Sequence, residues 1–190
     1  MPLFINAPHA QRGLRHAMLV FAGQRTEIGH VMPIRDSRPL TPGEIALSRP
    51  VFGDAIDYAA ARVANRKWAF FQPRNVTMAP TGCIHFHPQG GLYRDDFATA
   101  SLPLQALFIH EMTHIWQAQT KGRFWLVLMR HPFCRYDYRF DPERSFGDYG
   151  IEQQAELVRH LFLHQKGAPP QGAPPYEALR KVVRFSPCAR

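Results

Sequence analysis

Residues 110–114 read His-Glu-Met-Thr-His, and this short run constrains the chain more than any other part of it. On an α-helix, positions four apart lie one above the other on a single face. A helical segment therefore lets His110 and His114 reach one metal ion. Neutral imidazole is a good Zn²⁺ ligand, and two of them leave coordination positions for a third protein ligand and a water. Glu111, between them, is then placed to take a proton from that water. The competing reading is a pair of hydrogen-bonded core histidines beside a surface glutamate.

The flanks predict that helix. Ser101 stands where an N-cap is wanted, Pro103 falls in the first turn, Lys121 lies where a cation favours the C-terminus, and Gly122 can end the helix with a left-handed residue. Leu104, Leu107, Phe108, Ile115 and Ala118 keep roughly the helical period around the motif, so the histidines project into a largely buried region.

A third ligand belongs downstream. Residues 150–164 are again helical in pattern, with Ile151, Leu157, Val158, Leu161 and Phe162 available for packing, while Glu152 and Glu156 are four apart on a shared face. A solvated acidic face is the plain alternative for this pair. His131 follows the first motif too closely to complete it, and Gln117 and Thr120 stand where an HExxHxxGxxH run would place its glycine and last histidine. His160 and His164 repeat the four-residue spacing without a glutamate after His160, and read as surface or supporting groups.

The glutamate helix resembles the second half of a gluzincin site, in which a helix carries ExxxD or ExxxE. By that resemblance His110, His114 and Glu152 are the zinc ligands, Glu111 is the catalytic base, and Glu156 orients a zinc-bound histidine, His110. A carboxylate in that role fixes the tautomer and makes the imidazole a better donor. More widely, residues 107–117 with residues 152–156 resemble the zincin domains associated with bacterial contractile injection and type VI secretion systems, whose helices read HELxHxxQ. Residues 40–47 and 51–58 are similar to the start of small Vgr-related proteins, so the likeness spans residues 40–165. It implies an α+β, zincin-like domain with an HExxH helix, a downstream glutamate helix and a small β-hairpin or sheet at the cleft edge.

The chain has 190 residues, 45% hydrophobic and 20% charged, which fits one globular domain with a real core. Cys83, Cys134 and Cys188 are odd in number and widely spaced, which indicates neither a disulfide framework nor a zinc finger but reduced thiols. The apolar run at 17–23 begins late and lacks a clear cleavage site, and no stretch approaches a membrane span. The expected location is therefore cytoplasmic, with export through a contractile secretion system as the route open to an injected protein. A net charge of +8 comes from scattered arginines with no nucleic-acid-reading motif beside them, so specific nucleic-acid recognition is not expected.

The expected organisation is an N-terminal extension over residues 1–39, a zincin-like domain over 40–166, a Pro/Gly-rich linker over 167–175 and a basic tail over 176–190, in which residues 176–185 make one short basic helix, docked or free. Thr41-Pro42-Gly43-Glu44 has the form of a capping box, so a helix begins there, and Pro50 bends or ends it. Residues 75–79 and 83–87 alternate around Pro80-Thr81-Gly82 and predict a β-hairpin, with His85 and His87 on a solvated strand face rather than at an accessory metal site. By the zincin resemblance, one of its strands borders the cleft and pairs with extended substrate. Residues 133–146 join the two site helices and read as a specificity loop or lid. Tyr136, Tyr138, Tyr149 and His131 are candidates to stabilise an oxyanion.

The expected function is hydrolysis of peptide bonds in a peptide or protein substrate by a metal-activated water, a gluzincin-type zinc metallopeptidase. The alternatives are a zinc-stabilised structural or accessory component of a secretion machine, bound to another of its components and without proteolytic activity, or a zinc hydrolase acting on another amide.

Overall fold

The computed structural model describes residues 36–122, 126 and 137–185. Most of the N-terminal extension, His131, Cys134, Tyr136 and Cys188 lie outside the described residues. The described chain is α+β, with one small three-stranded sheet and four α-helices.

Strand β1 (Ser37–Pro39) pairs antiparallel with β2 (Arg62–Ala64), which pairs in parallel with β3 (Cys83–His85), in the order β1-β2-β3. Val63, Ala64, Cys83, Ile84 and His85 are all buried, which fits the rule that parallel strands are covered on both faces. The hairpin expected at 75–87 does not form a two-stranded ladder. Its turn forms, with Gly82 at φ +88°, but the pairing shrinks to one antiparallel bridge between Met78 and His85, at 3.1 and 2.7 Å. The Gln72 amide donates to the carbonyls of Val76 (2.8 Å) and His85 (2.9 Å); the His85 carbonyl still accepts from Met78 N, but the Val76 carbonyl, which a longer ladder would use, is taken.

Helix α1 (Pro42–Phe52) opens with the capping box: the Thr41 hydroxyl accepts from Glu44 N at 3.0 Å, and Glu44 Oε2 accepts from Thr41 N at 2.9 Å. Glu44 is fully buried and also accepts from the Arg38 guanidinium and from Phe97 N, which ties β1 and a 3₁₀ turn (Phe97–Thr99) to this helix. Pro50 does not end α1, which runs on to Phe52 before Gly53. The carbonyl that Pro50 leaves without its helical donor belongs to Ala46, on the exposed side of the helix, where water can reach it.

Helix α2 (Leu102–Lys121) is the motif helix, followed by Gly122 at φ +100°. Ser101 takes the N-cap position without a side-chain cap bond. Helix α3 (Ile151–Gln165) packs against it, with Phe108, Ile109, Met112 and Ile115 of α2 and Leu157, Val158, Leu161 and Phe162 of α3 in one buried core. Phe86, Phe97 and Phe108 stack in sequence at 5.0 Å, which joins β3 to α2 through the 3₁₀ turn.

The segment read as a basic tail is part of this core. Helix α4 (Tyr176–Val182) buries Leu179 and Val182, Val183 is buried beyond it, and the Phe185 ring lies 4.9 Å from Phe52 and 5.1 Å from Trp116. Arg180, Lys181 and Arg184 keep to the exposed face. The charges are thus one side of an amphipathic helix.

His85 corrects another expectation: its side chain is buried, not solvated, and both ring nitrogens lack a hydrogen bond. Burial pushes its pKa down to about 4, against the pull of the Arg66 backbone. An unfolded chain takes up this proton near pH 6.5, and the folded chain only near 4. The stability from the neutral ring is therefore full above about pH 6.5 and lost as the pH falls toward 4, about 3 kcal/mol in all. Urea unfolding between pH 7.5 and 4.5 is expected to give a flatter pH dependence for His85→Gln than for wild type; parallel curves would refute the assignment.

Candidate metal centre

Among the polar side chains that helix α2 buries are His110, Glu111 and His114, and α3 brings Glu152 to them from its first turn. The N-terminal end of a helix suits a carboxylate. Glu152 Oε2 lies 3.3 Å from His110 Nε2 and 3.1 Å from His114 Nε2. Among the described residues, these three form the group of His, Cys, Asp or Glu side chains whose ligand atoms come within 4.8 Å of one another.

The far nitrogen of each imidazole is held by its own partner. His110 Nδ1 donates to Glu156 Oε1 at 3.0 Å, one helical turn beyond Glu152. His114 Nδ1 is 2.8 Å from Gln117 Oε1. The direction of that second bond follows from a chain of amides. Gln154 Nε2 donates to the Tyr149 carbonyl at 2.8 Å, so Gln154 presents its oxygen to Gln117. Gln117 Nε2 donates to that oxygen at 2.9 Å and to the Ile151 carbonyl at 3.0 Å. Its own oxygen is left for His114, whose Nδ1 must therefore carry the hydrogen. Both Nε2 lone pairs then face the same Glu152 oxygen.

Two lone pairs and a carboxylate crowded together favour a positive charge between them. Burial lowers the pKa of His110, yet the hydrogen bonds to Glu152 and Glu156 override it and raise the pKa well above the ordinary value, to about 10. Burial pushes the Glu156 carboxyl up, but the hydrogen bond and charge of His110, with Arg159 behind, hold it down at about 2. Arg159 donates to both Glu156 oxygens at 3.1 Å. Glu111 is also buried, and its Oε2 has no hydrogen-bond partner.

Of the other residues singled out in the sequence, Tyr138 has its hydroxyl 2.5 Å from His160 Nδ1. Burial lowers the His160 pKa and raises that of Tyr138, so a neutral ring accepts from a protonated phenol. His160 Nε2 in turn lies 3.7 Å from Glu156 Oε2. The Tyr149 hydroxyl accepts from Asp141 N and donates to Asp141 O, both at 3.0 Å, and so closes a loop. Both tyrosine hydroxyls are therefore committed elsewhere. His164 bonds the Pro174 carbonyl and His87 accepts from Gln89 N; neither is part of the cluster. Cys83 is buried, and burial pushes its thiol up to about 12.

A narrow recess opens beside the cluster, lined by Ala79, Pro80, Leu126 and Ile151 together with His114 and Glu152. The turn after Met78 thus borders the site, though as a turn and not as a free strand edge. Sequence reading missed the role of Gln117, treating it as the place where a glycine was absent. Its signal was the three-residue spacing from His114, which puts both side chains on one helix face.

No protein-family model matches the chain. The type VI secretion system spike protein VgrG2b of Pseudomonas aeruginosa is 40% identical over 135 residues, which is 67% of this chain; the chain spans 13% of that protein's length. The solved effector domain of Pseudomonas aeruginosa VgrG2b is similar in structure with a TM-score of 0.60 at 35% identity, covering 77% of this chain and 80% of that domain.

The amide chain gives a stability test. Gln117→Leu leaves His114 Nδ1, the Ile151 carbonyl and Gln154 Oε1 buried without their partner, and is expected to cost about 3 kcal/mol in chemical denaturation. Gln117→Glu keeps the acceptor for His114 but turns a buried carboxylate oxygen toward the Ile151 and Gln154 oxygens, so it too is expected to be less stable than wild type. Equal stability of all three proteins would show that the amide contributes nothing.

Proposed function

The chain belongs to the family of the VgrG2b effector domain, and on that premise we propose that it is a zinc-dependent metallopeptidase of gluzincin type, delivered by a type VI secretion system. One observation carries the reading: the two Nε2 atoms and the Glu152 oxygen converge, with both Nδ1 atoms already committed to Glu156 and Gln117. Ligands about 2.0–2.1 Å from a tetrahedral zinc stand about 3.3 Å apart, and the separations from Glu152 Oε2 are 3.3 and 3.1 Å. Two imidazoles and one carboxylate are a donor set that suits zinc and leaves one position open.

His110, His114 and Glu152 hold the ion in this reading. When bound, zinc supplies Lewis acidity to water and to the substrate carbonyl. Glu111 is the base: its buried Oε2, which has no hydrogen-bond partner, takes a proton from the attacking water and returns it to the leaving amine. Glu156 and Gln117 keep both imidazoles in the tautomer that points Nε2 at the metal. Arg159 and His160, the latter bonded to Tyr138, back Glu156 from the far side. The substrate is a peptide or protein segment, and the turn at Ala79 and Pro80 is one wall of its site.

The second reading, an accessory component of the secretion machine, is favoured by the relative VgrG2b being a spike protein of a type VI secretion system. It predicts binding to a machine component that survives Glu111→Gln and no cleavage of any extended peptide.

Zinc content after reconstitution, with a peptide-cleavage screen, separates these readings. Wild type is expected to hold one zinc and cleave; Glu152→Ala is expected to lose the zinc. Glu156→Ala is expected to bind it about 10- to 100-fold more weakly. Glu111→Gln should keep the zinc and lose turnover by about 10²–10⁴-fold. A wild type that takes up no zinc would overturn the metal assignment; undiminished turnover in Glu111→Gln would overturn the base.

A further inference from the structure

Between Asp57 and Asp95, residues 58–94 contain five Arg or Lys and not one Asp or Glu. The crossover from β2 to β3 lies inside this stretch and reads Asn65-Arg66-Lys67-Trp68-Ala69-Phe70-Phe71-Gln72-Pro73-Arg74. Its tip holds the large apolar side chains most exposed among the described residues: Phe70 is 84% exposed and Trp68 38%. Their rings meet Phe71 edge to face, at 5.3 and 6.5 Å, so the three form one apolar knob. Arg66, Lys67 and Arg74 flank it, all exposed.

The exposure is built in. The buried Gln72 side chain accepts from Trp68 N at 2.8 Å and donates to the carbonyls of Val76 and His85. Gln72 N bonds the Ala69 carbonyl, and Lys67 Nζ reaches the Phe70 carbonyl at 3.1 Å. The backbone of the loop is therefore anchored to β3 while its aromatic rings point outward. The acid facing these cations is Asp36, 3.9 Å from Arg66, so the ring of charge around the knob stays positive.

We propose that this loop docks the protein on the surface of an anionic lipid bilayer, with Trp68 and Phe70 in the interface and Arg66, Lys67 and Arg74 over the headgroups. Aromatic side chains favour the membrane interface, and basic residues beside them gain from anionic lipid. A stable protein partner needs about 800 Å² on each side, whereas the two exposed rings, at about 150–250 Å² each, offer about 300–500 Å² at most. A bilayer requires no matching pocket. Single-stranded nucleic acid is held in a charged groove with rings placed for successive bases to stack; here the rings stand together on a loop tip, Phe71 lying at 89° to Trp68 and 86° to Phe70. The proposal is independent of the metal centre.

Cosedimentation of the full chain with phosphatidylcholine vesicles, with and without phosphatidylserine, tests it. Wild type is expected to pellet with the anionic vesicles, less so at high salt, and to remain in solution with the neutral ones. The double variant Trp68→Ser, Phe70→Ser is expected to bind about tenfold more weakly or worse, as is Lys67→Glu, Arg74→Glu, with circular dichroism unchanged in both. Absence of binding to anionic vesicles would overturn the proposal, as would a Trp68→Ser, Phe70→Ser variant that binds as well as wild type. Binding of a single-stranded oligonucleotide that this variant loses, without binding to vesicles, would also overturn it in favour of nucleic acid.

Discussion

The site depends on where two lone pairs point. Imidazole can present either nitrogen, and a histidine pair four residues apart on a helix is compatible with several tautomers and ring orientations. Here each Nδ1 is tied to a neighbour, Glu156 for His110 and Gln117 for His114, so each Nε2 faces Glu152. The first tie runs from α2 to α3, and the second, within α2, is braced from α3 by Ile151 and Gln154; the large apolar contact between those helices, from Phe108 to Ile115 on one side and Leu157 to Phe162 on the other, serves as the frame that holds the donors in place.

The electrostatics follow from that frame. Carboxylates and imidazoles this deeply buried are costly unless they are paired. Glu152 and Glu156 sit one turn apart and create a negative potential that only a cation relieves, and His110 responds with a raised pKa. His85, buried without a carboxylate, responds in the opposite direction. Two buried histidines in one small domain thus differ because one faces acids, whereas the other is shut in by burial with the Arg66 cation nearby.

The elements outside the site divide between support and surface. Glu44 and Arg38 lock the first strand to the first helix and to the turn that leads into α2. The C-terminal helix closes the core through Phe185, Phe52, Trp116 and Phe146. The β2 to β3 crossover does the reverse, turning aromatic side chains outward from an anchored backbone.

Much was legible in the residues alone. Helical periodicity located both site helices to within a residue or two, because each must hide an apolar stripe and that stripe repeats at 3.6 residues. The capping box at Thr41 and Glu44 was equally plain, since it is satisfied within one turn of chain. The spacing within 110–114 and 152–156 established which side chains share a face. What local sequence did not determine is how nonlocal partners compete. The hairpin lost the Val76 carbonyl to Gln72, the short C-terminal helix docked on the core by its apolar face, and the solvated strand face of His85 became interior. Gln117 acquired its role only when α3 arrived with Ile151 and Gln154. The family likeness, more than spacing, pointed to Glu152 as the third member of the cluster, and only the tertiary structure decided that it meets both histidines at once. Local geometry sets which groups face the same way, whereas contact across 38 or more residues of chain is set by how whole faces pack.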